Sequence, residues 1–299
     1  MRIAALDIGG TSIKSGIWDE GKVLELKENG TNAKQGGLYV MERVKEILHT
    51  YQDFQAIGIS TAGQVNSREG FIRYANENIP GYTGMKVRDI LEQEFGVPVA
   101  VENDVNAAAI GEGIFGAGRG YQDFLCLTYG TGVGGAIVIG GEIYTGSGYS
   151  AGEFGAILTH PEDVVEGQPF SGCYEKYASA TALVRAAKVW NLALDSGRAV
   201  FARIEDPKVR QLVDTWCDEI VHGLVSLIHI FNPPCIILGG GVMAQPYVTE
   251  QIRSKVRGRI MSSFAEVEIL PAQLGNQAGL LGAAYLAGKH RDFCSRHEC

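Results

Sequence analysis

The sequence predicts an α/β protein of two similar lobes, each built around a mixed sheet. Three observations carry this. Strand-like apolar runs alternate with amphipathic helical stretches through the first hundred residues. That region opens with three consecutive runs joined by short turns, a meander, while its later strands are separated by helices and need crossover connections. Near residue 120 the same programme restarts, which reads as an internal duplication with two lobes facing a cleft.

The elements follow in order. Strands are expected at 2–8, 12–18 and 22–28, and a helix at 36–52 whose apolar positions keep helical spacing. A strand at 55–61 leads into a glycine-marked loop, a helix near 85–95, and a strand at 98–102 that runs into Asn103-Asp104. The next helix, 104–116, is alanine-rich and starts on a carboxylate, as a helix N-terminus favours. Residues 124–144 again read strand, Gly/Thr turn, strand, turn, strand. Long helices are expected at 174–190 and 207–231, then a buried strand at 235–238 ending in three glycines. A small-residue helix at 277–287 closes the chain, and the polar tail after Lys289 is expected to fray.

Composition narrows the function classes. The chain has 299 residues, 45% hydrophobic and 20% charged, with a net charge of −8. This is an ordinary globular profile with material for a large core. Lys and Arg form no basic block, so a nucleic-acid footprint is absent. No apolar stretch is long enough to cross a bilayer. An acid, Asp7, stands where a signal peptide would keep its apolar segment, so a cytoplasmic location is expected. Most of the six cysteines sit singly in apolar runs, which fits buried thiols in a reducing compartment better than disulfides.

Four glycine-rich turns stand at strand ends: Gly9-Gly10-Thr11, Thr61-Ala62-Gly63, Gly130 to Gly135, and Gly239-Gly240-Gly241. A strand, a Gly-Gly-Thr turn and a second strand can press backbone N–H groups against a phosphate, and can equally just close a hairpin. Asp7, immediately before the first turn, can hold a hydrated Mg²⁺. Asp104 can accept the proton of an attacking hydroxyl, or can cap its helix; the two readings are compatible. In α/β proteins ligands gather at such strand ends.

These motifs, in this order, resemble the ROK family. The resemblance rests on Asp-Ile-Gly-Gly-Thr (7–11), Val-Glu-Asn-Asp-Val-Asn-Ala-Ala-Ala (101–109), Gly-Thr-Gly-Val-Gly-Gly (130–135), Ala-Gly-Glu-Phe-Gly (151–155), Gly-Cys-Tyr-Glu (172–175) and Gly-Gly-Gly (239–241). It spans residue 2 to about 288. The family comprises bacterial sugar kinases and sugar-responsive repressors on the duplicated actin/Hsp70/hexokinase (ribonuclease H-like) fold, with an interlobe cleft. It implies an N-terminal lobe of 1–118 completed by a returning helix near 277–290. That lobe would carry the first phosphate turn, part of the sugar site and the catalytic Asp. The second lobe, 119–276, would carry the second phosphate turn, the adenosine site and the sugar carboxylates.

The resemblance implies residue roles as well. Asp104 is the general base and Asn103 binds sugar hydroxyls beside it. Asp7 acts through Mg²⁺ and its waters. Gly9, Gly10, Thr11 and Lys14 face the transferring phosphate, although a strand-surface lysine is usually only solvated. Thr131 and Gly132 donate to the β/γ phosphates, and Gly239, Gly240 and Gly241 let adenosine lie against bare backbone. Glu153, Glu175, Asn78 and Gly63 complete the sugar side; alone, each glutamate would read as a surface charge. Ala62 replaces the proline usual before that glycine. The implied substrates and cofactors are a sugar, ATP and Mg²⁺, with a homodimer as the family-level expectation.

The pattern breaks at the family's zinc motif, Gly-His followed by Cys-x-Cys-Gly-x-x-Gly-Cys-x-Glu. Aligned on Gly172 to Glu175, the first two cysteine positions hold Glu166 and Gln168, and Gly155-Ala156 stands for Gly-His. One thiolate cannot make a tetrahedral structural site, and His160 nearby with Cys173 is still half a site, so no structural zinc is expected. Packing of Phe170 and Tyr174 must then hold the loop. The lost histidine leaves room at the sugar. Relatives resembling β-glucoside kinases share that loss, the Gly-Glu-Phe-Gly run and Asn-Gln-Ala-Gly-Leu-Leu-Gly (276–282). The expected reaction is ATP- and Mg²⁺-dependent phosphorylation of the 6-hydroxyl of a hexose or β-glucoside, with N-acetylmannosamine or another hexose as the alternative acceptor. A sugar sensor or a transcriptional regulator without a DNA-binding domain is the remoter alternative. With Asp7 this near the first residue no preceding DNA-binding domain is expected, and a sensor would be expected to have lost Asp104 or a phosphate turn.

Overall fold

The structure, a computed structural model, describes residues 1–297. The chain forms two compact units: Met1–Arg119 with Thr145–Ala151 and the segment from Asn276 onward, and Gly120–Tyr144 with Gly152–Gly275.

The first unit opens with strands β1 (Ile3–Ile8), β2 (Ser12–Asp19) and β3 (Lys22–Gly30), then helix α1 (Gly37–Leu48) and strand β4 (Ile57–Thr61). A short hairpin, β5 (Gln64–Asn66) with β6 (Phe71–Tyr74), precedes α2 (Val87–Phe95), β7 (Val99–Asn103) and α3 (Asp104–Phe115). The second unit holds β8 (Phe124–Tyr129), β9 (Val133–Ile139) and β10 (Glu142–Ile143), followed by helices α4 (Glu175–Ala178), α5 (Ala180–Trp190), α6 (Gly197–Phe201) and α7 (Pro207–Phe231). It ends with β11 (Cys235–Gly239), α8 (Pro246–Arg257) and β12 (Glu268–Pro271). Helix α9 (Ala278–His297) then returns to the first unit.

The duplication is literal at the level of topology. One sheet runs β3-β2-β1-β4-β7 and the other β10-β9-β8-β11-β12. In each, the first three strands pair antiparallel and the last two join in parallel. The parallel strands β4, β7 and β11 are nearly all buried, as strands covered on both faces must be, whereas β12, at the edge of its sheet, buries only Ile269. In the first unit, Leu6, Ile8, Ile59 and Val101 pack with Val40, Val44 and Leu48 of α1 and Leu91 of α2. Ile3, Ala5 and Ala100 face the other way, against Leu280, Ala284 and Ala287 of α9. That contact depends on missing side chains: a Cβ on Gly58 would lie 2.2 Å from the Ala283 carbonyl oxygen, and one on Gly282 1.8 Å from that of Ala107.

Several expectations change. The helix expected over 174–190 is two, because Ser179 is extended and its side chain caps α5 at the Ala182 N–H. The first helix ends at Leu48. Helix α9 continues to His297 instead of fraying after Lys289, since nothing past Gly288 breaks helical geometry. Beyond the elements read from sequence, the structure adds the β5–β6 hairpin, α6, α8 and β12. In α8, Val248, Ile252 and Val256 recur every fourth residue and are buried, behind a proline at the first turn. Cys126, Cys173, Cys217 and Cys235 are buried and no disulfide forms among the described residues; Cys299 lies outside them. No helix is long and apolar enough to cross a membrane among the described residues.

Candidate functional site

In the first unit a group of polar residues forms at the ends of β1, β4 and β7. Register places Asp7 across from Lys14 on β2 and beside Ser60 on β4. The Ser60 hydroxyl donates to Asp7 Oδ1 at 2.7 Å. Burial raises the Asp7 pKa above the ordinary carboxylate value, opposed by Ser60 and by the Lys14 charge. Lys14 therefore faces Asp7 and is more than a solvated strand lysine. The turn beyond Asp7 is braced by Thr31, whose hydroxyl donates to the Gly9 carbonyl at 2.7 Å and whose N–H donates to that of Thr11 at 3.0 Å. Gly10 and Thr11 are exposed at its tip.

At the end of β7, Asn103 and not Asp104 is the N-cap of α3: its Oδ1 accepts from the Val105 and Asn106 N–H groups at 2.9 and 3.1 Å. Its Nδ2 donates to the Gly63 carbonyl at 2.9 Å and to Asp104 Oδ1 at 3.0 Å. The amide is thus fully used within the protein, and a sugar hydroxyl contacting it must replace one of these partners. Asp104 is the first helical residue, half-buried, and also accepts from the Val105 N–H. Burial, then the charge of Asp7, push its carboxyl up to about 6. Gly63, at φ +103°, is required by its turn, since a Cβ would press on the Tyr74 carbonyl. Asp7, Lys14, Gly63, Asn103 and Asp104 are thereby brought into one cluster. Asn78 lies on an exposed turn, its N–H donating to Asn76 Oδ1.

Sequence reading missed the support beneath this cluster. Glu102, buried, accepts from the Asn103 N–H at 2.9 Å and from Asn106 Nδ2 at 3.0 Å, and burial raises its pKa. The available signal was an acid inside an otherwise apolar strand.

The second unit repeats the turn. Gly130 N–H donates to the Gly132 carbonyl at 3.0 Å, and the Thr181 N–H at the start of α5 reaches the Gly130 carbonyl at 3.3 Å. Thr131 is exposed at the tip. Glu175, at the start of α4, lies against this turn: a Cβ on Gly132 would come 2.5 Å from its Oε2, and one on Gly155 3.3 Å from the same oxygen. Glu153 heads a short 3₁₀ turn, Phe154–Ala156, with its side chain exposed. Gly240, at φ +108°, rests on the backbone of Tyr129, where a Cβ would be 2.2 Å from the carbonyl oxygen. The Gly239–Gly241 turn is therefore held beside the end of β8, with Gly240 and Gly241 exposed.

The loop before Glu175 is held by packing. Its ends pair through Leu158 and Cys173, and Tyr174 is fully buried, joined to Tyr129 Oη at 2.8 Å and donating to the Ile220 carbonyl at 2.6 Å. Phe170 does not help: it is 58% exposed, at φ +66° in a tight turn that directs it outward. The residues do not fit the family's zinc site. Glu166 and Gln168 replace two thiolates, and the Cys173 thiol donates to the Ala156 carbonyl at 3.3 Å. They do fit a hydrated Mg²⁺ at Asp7, where two carboxylates lie close enough to repel with one lysine to offset them.

The repeated sheet and the paired turns define a duplicated α/β protein with polar clusters at equivalent strand ends. The ROK family model matches residues 3–290, and the chain belongs to the ROK family. A β-glucoside kinase of Listeria monocytogenes is 33% identical, over 95% of this chain and 97% of its own length. The crystal structure of a Streptomyces griseus ROK glucokinase with glucose and AMPPNP superposes with a TM-score of 0.82 at 34% identity, over 97% of this chain and all of that one. A Listeria monocytogenes protein, a candidate N-acetylmannosamine kinase, superposes at 0.87 with 31% identity, over 97% and 99%.

Proposed function

We propose that this ROK family member is an ATP-dependent sugar kinase that transfers the γ-phosphoryl group to the 6-hydroxyl of a hexose or β-glucoside, with Asp104 as general base. The observation that carries this is the state of Asp104, a half-buried carboxyl oriented by Val105 and Asn103 with its pKa pushed to about 6. It is ionised at neutral pH, yet basic enough to accept a proton as it is released. The acceptor oxygen attacks the γ-phosphorus while the bond to the bridging oxygen of ADP breaks, and the hydroxyl proton passes to Asp104.

Mg²⁺ bound at Asp7 would neutralise charge on the phosphates. Lys14 would contact the transferring group, and the N–H groups of Gly10, Thr11, Thr131 and Gly132 would donate to phosphate oxygens, while the Gly9 N–H closes its turn on the Ser12 carbonyl at 3.0 Å and so positions them. Gly239–Gly241 would receive adenosine. Glu153, Glu175, Asn78, Asn103 and Gly63 would hold the sugar. The relatives named for β-glucoside kinase and glucokinase support the reaction class, and exposed Ala156, in place of a histidine, supports an acceptor with a bulky substituent. N-acetylmannosamine is the second reading, supported by the structural match at TM-score 0.87. A coupled ADP-release assay across glucose, cellobiose, an aryl β-glucoside, mannose and N-acetylmannosamine decides between them. Turnover of the glucosides above glucose is expected; activity confined to N-acetylmannosamine would overturn the first reading.

A further inference from the structure

His160, in the loop that precedes Glu175, meets Glu219 and His222 of α7. Their nearest ligating atoms all lie within 4.8 Å of one another. Glu219 and His222 stand one turn apart on α7, the Glu-x-x-His arrangement that brings a carboxylate and an imidazole to one face of a helix. His160 arrives from the loop. Its Nε2 is 3.3 Å from Glu219 Oε2, and His222 Nδ1 is 3.3 Å from the same oxygen. Those separations are long for N–H···O bonds, which centre near 2.9–3.0 Å. They match the edge of a tetrahedron with arms of about 2.0–2.1 Å, which is about 3.3 Å, the spacing imidazole and carboxylate adopt around zinc.

The surroundings are prepared for a cation. The His160 ring stacks on Tyr177 at 3.6 Å and 16°. Thr159 Oγ1 lies 3.1 Å from its Nδ1, a partner that leaves Nε2 to ligate. Tyr177 in turn donates to Asp163, so a further carboxylate stands behind the stack. His160 and Glu219 are 16% and 22% exposed, while His222 is 45% exposed and leaves the site open to solvent.

We propose that His160, Glu219 and His222 bind one divalent transition-metal ion, zinc being the best chemical match, and that it fastens the 157–174 loop to α7. Two imidazoles and one carboxylate favour zinc over Mg²⁺ or Ca²⁺. The site shares no ligand with the family's Cys-rich one, since Cys173 is engaged with Ala156. It does not depend on the kinase reading.

The test is zinc titration of the full chain, stripped with EDTA, in competition with a chromophoric chelator. One zinc per chain is expected, with affinity at least tenfold weaker in His222→Ala and Glu219→Gln and unchanged in Cys173→Ser. Cobalt in place of zinc should give visible d–d bands without a thiolate charge-transfer band. Circular dichroism of the metal-free variants checks that they fold, and exposed His222 makes His222→Ala the safest of them. No zinc uptake at micromolar metal, uptake unaffected by His222→Ala, or loss of uptake in Cys173→Ser would each overturn the site.

Discussion

Asp104 carries the two sharpest expectations at the scale of single residues. Its folded pKa, about 6, lies above the ordinary 3.8 because burial and Asp7 disfavour the ionised form. As a base it must be ionised, so kcat/KM should fall tenfold per unit as pH drops below about 6, read from initial rates across pH. The stability sign runs the other way. The folded state holds this proton more tightly than the unfolded one, so the group is unfavourable above about pH 6 and neutral below about pH 4. Asp104→Asn should lower kcat about 10²–10⁴-fold. It should also stabilise the fold at pH 7.5 by on the order of 1–3 kcal/mol, measured by urea unfolding. A variant that kept normal turnover would remove Asp104 from the base role. The identity of this residue was legible in the Asn-Asp pair ahead of an alanine-rich helix. That Asn103 takes the cap and leaves Asp104 oriented at the first helical position was not, because both side chains can cap and only backbone geometry selects one.

Glycines and one tyrosine decide how neighbouring elements meet. Gly240→Ala should cost about 2 kcal/mol or more, since φ is +108° and a Cβ would overlap the Tyr129 backbone. The same change should raise the KM for ATP while leaving that for sugar near wild type, in a two-substrate kinetic analysis. Gly282→Ala, at the crossing of α3 and α9, should cost about 3 kcal/mol because the Ala107 carbonyl cannot retreat from a helix backbone, visible as a lowered Tm. Tyr174→Phe should cost about 1–2 kcal/mol by breaking the buried chain from Tyr129 to the Ile220 carbonyl. The glycines at strand ends were visible as a pattern. Which of them bear a steric constraint was not: Gly10, Gly130 and Gly241 have open space where Gly63 and Gly240 have none.

At the scale of the molecule, the duplicated sheet order explains why two similar glycine turns stand at equivalent strand ends, Gly9–Thr11 after β1 and Gly130–Gly132 after β8. A net charge of −8 with no block of Lys and Arg in the sequence opposes binding to nucleic acid. Random duplex DNA should show no mobility shift with the protein at about 0.1 M salt. Retardation at that salt would revive a regulator's role.

Strand and helix periodicities and glycine punctuation are local properties, so the duplicated α/β class, the order of most elements and the residue types at the glycine turns were legible in the chain alone. So was the absence of the family's zinc ligands, since that follows from residue identity alone. What replaces them depends on packing between distant segments. Tyr174 does so by burial and hydrogen bonding while Phe170 turns outward, and His160 joins Glu219 and His222 from an element far along the chain. Lys14 belongs with Asp7 for the same reason: cross-strand register and loop-to-helix packing bring together residues that no local pattern connects.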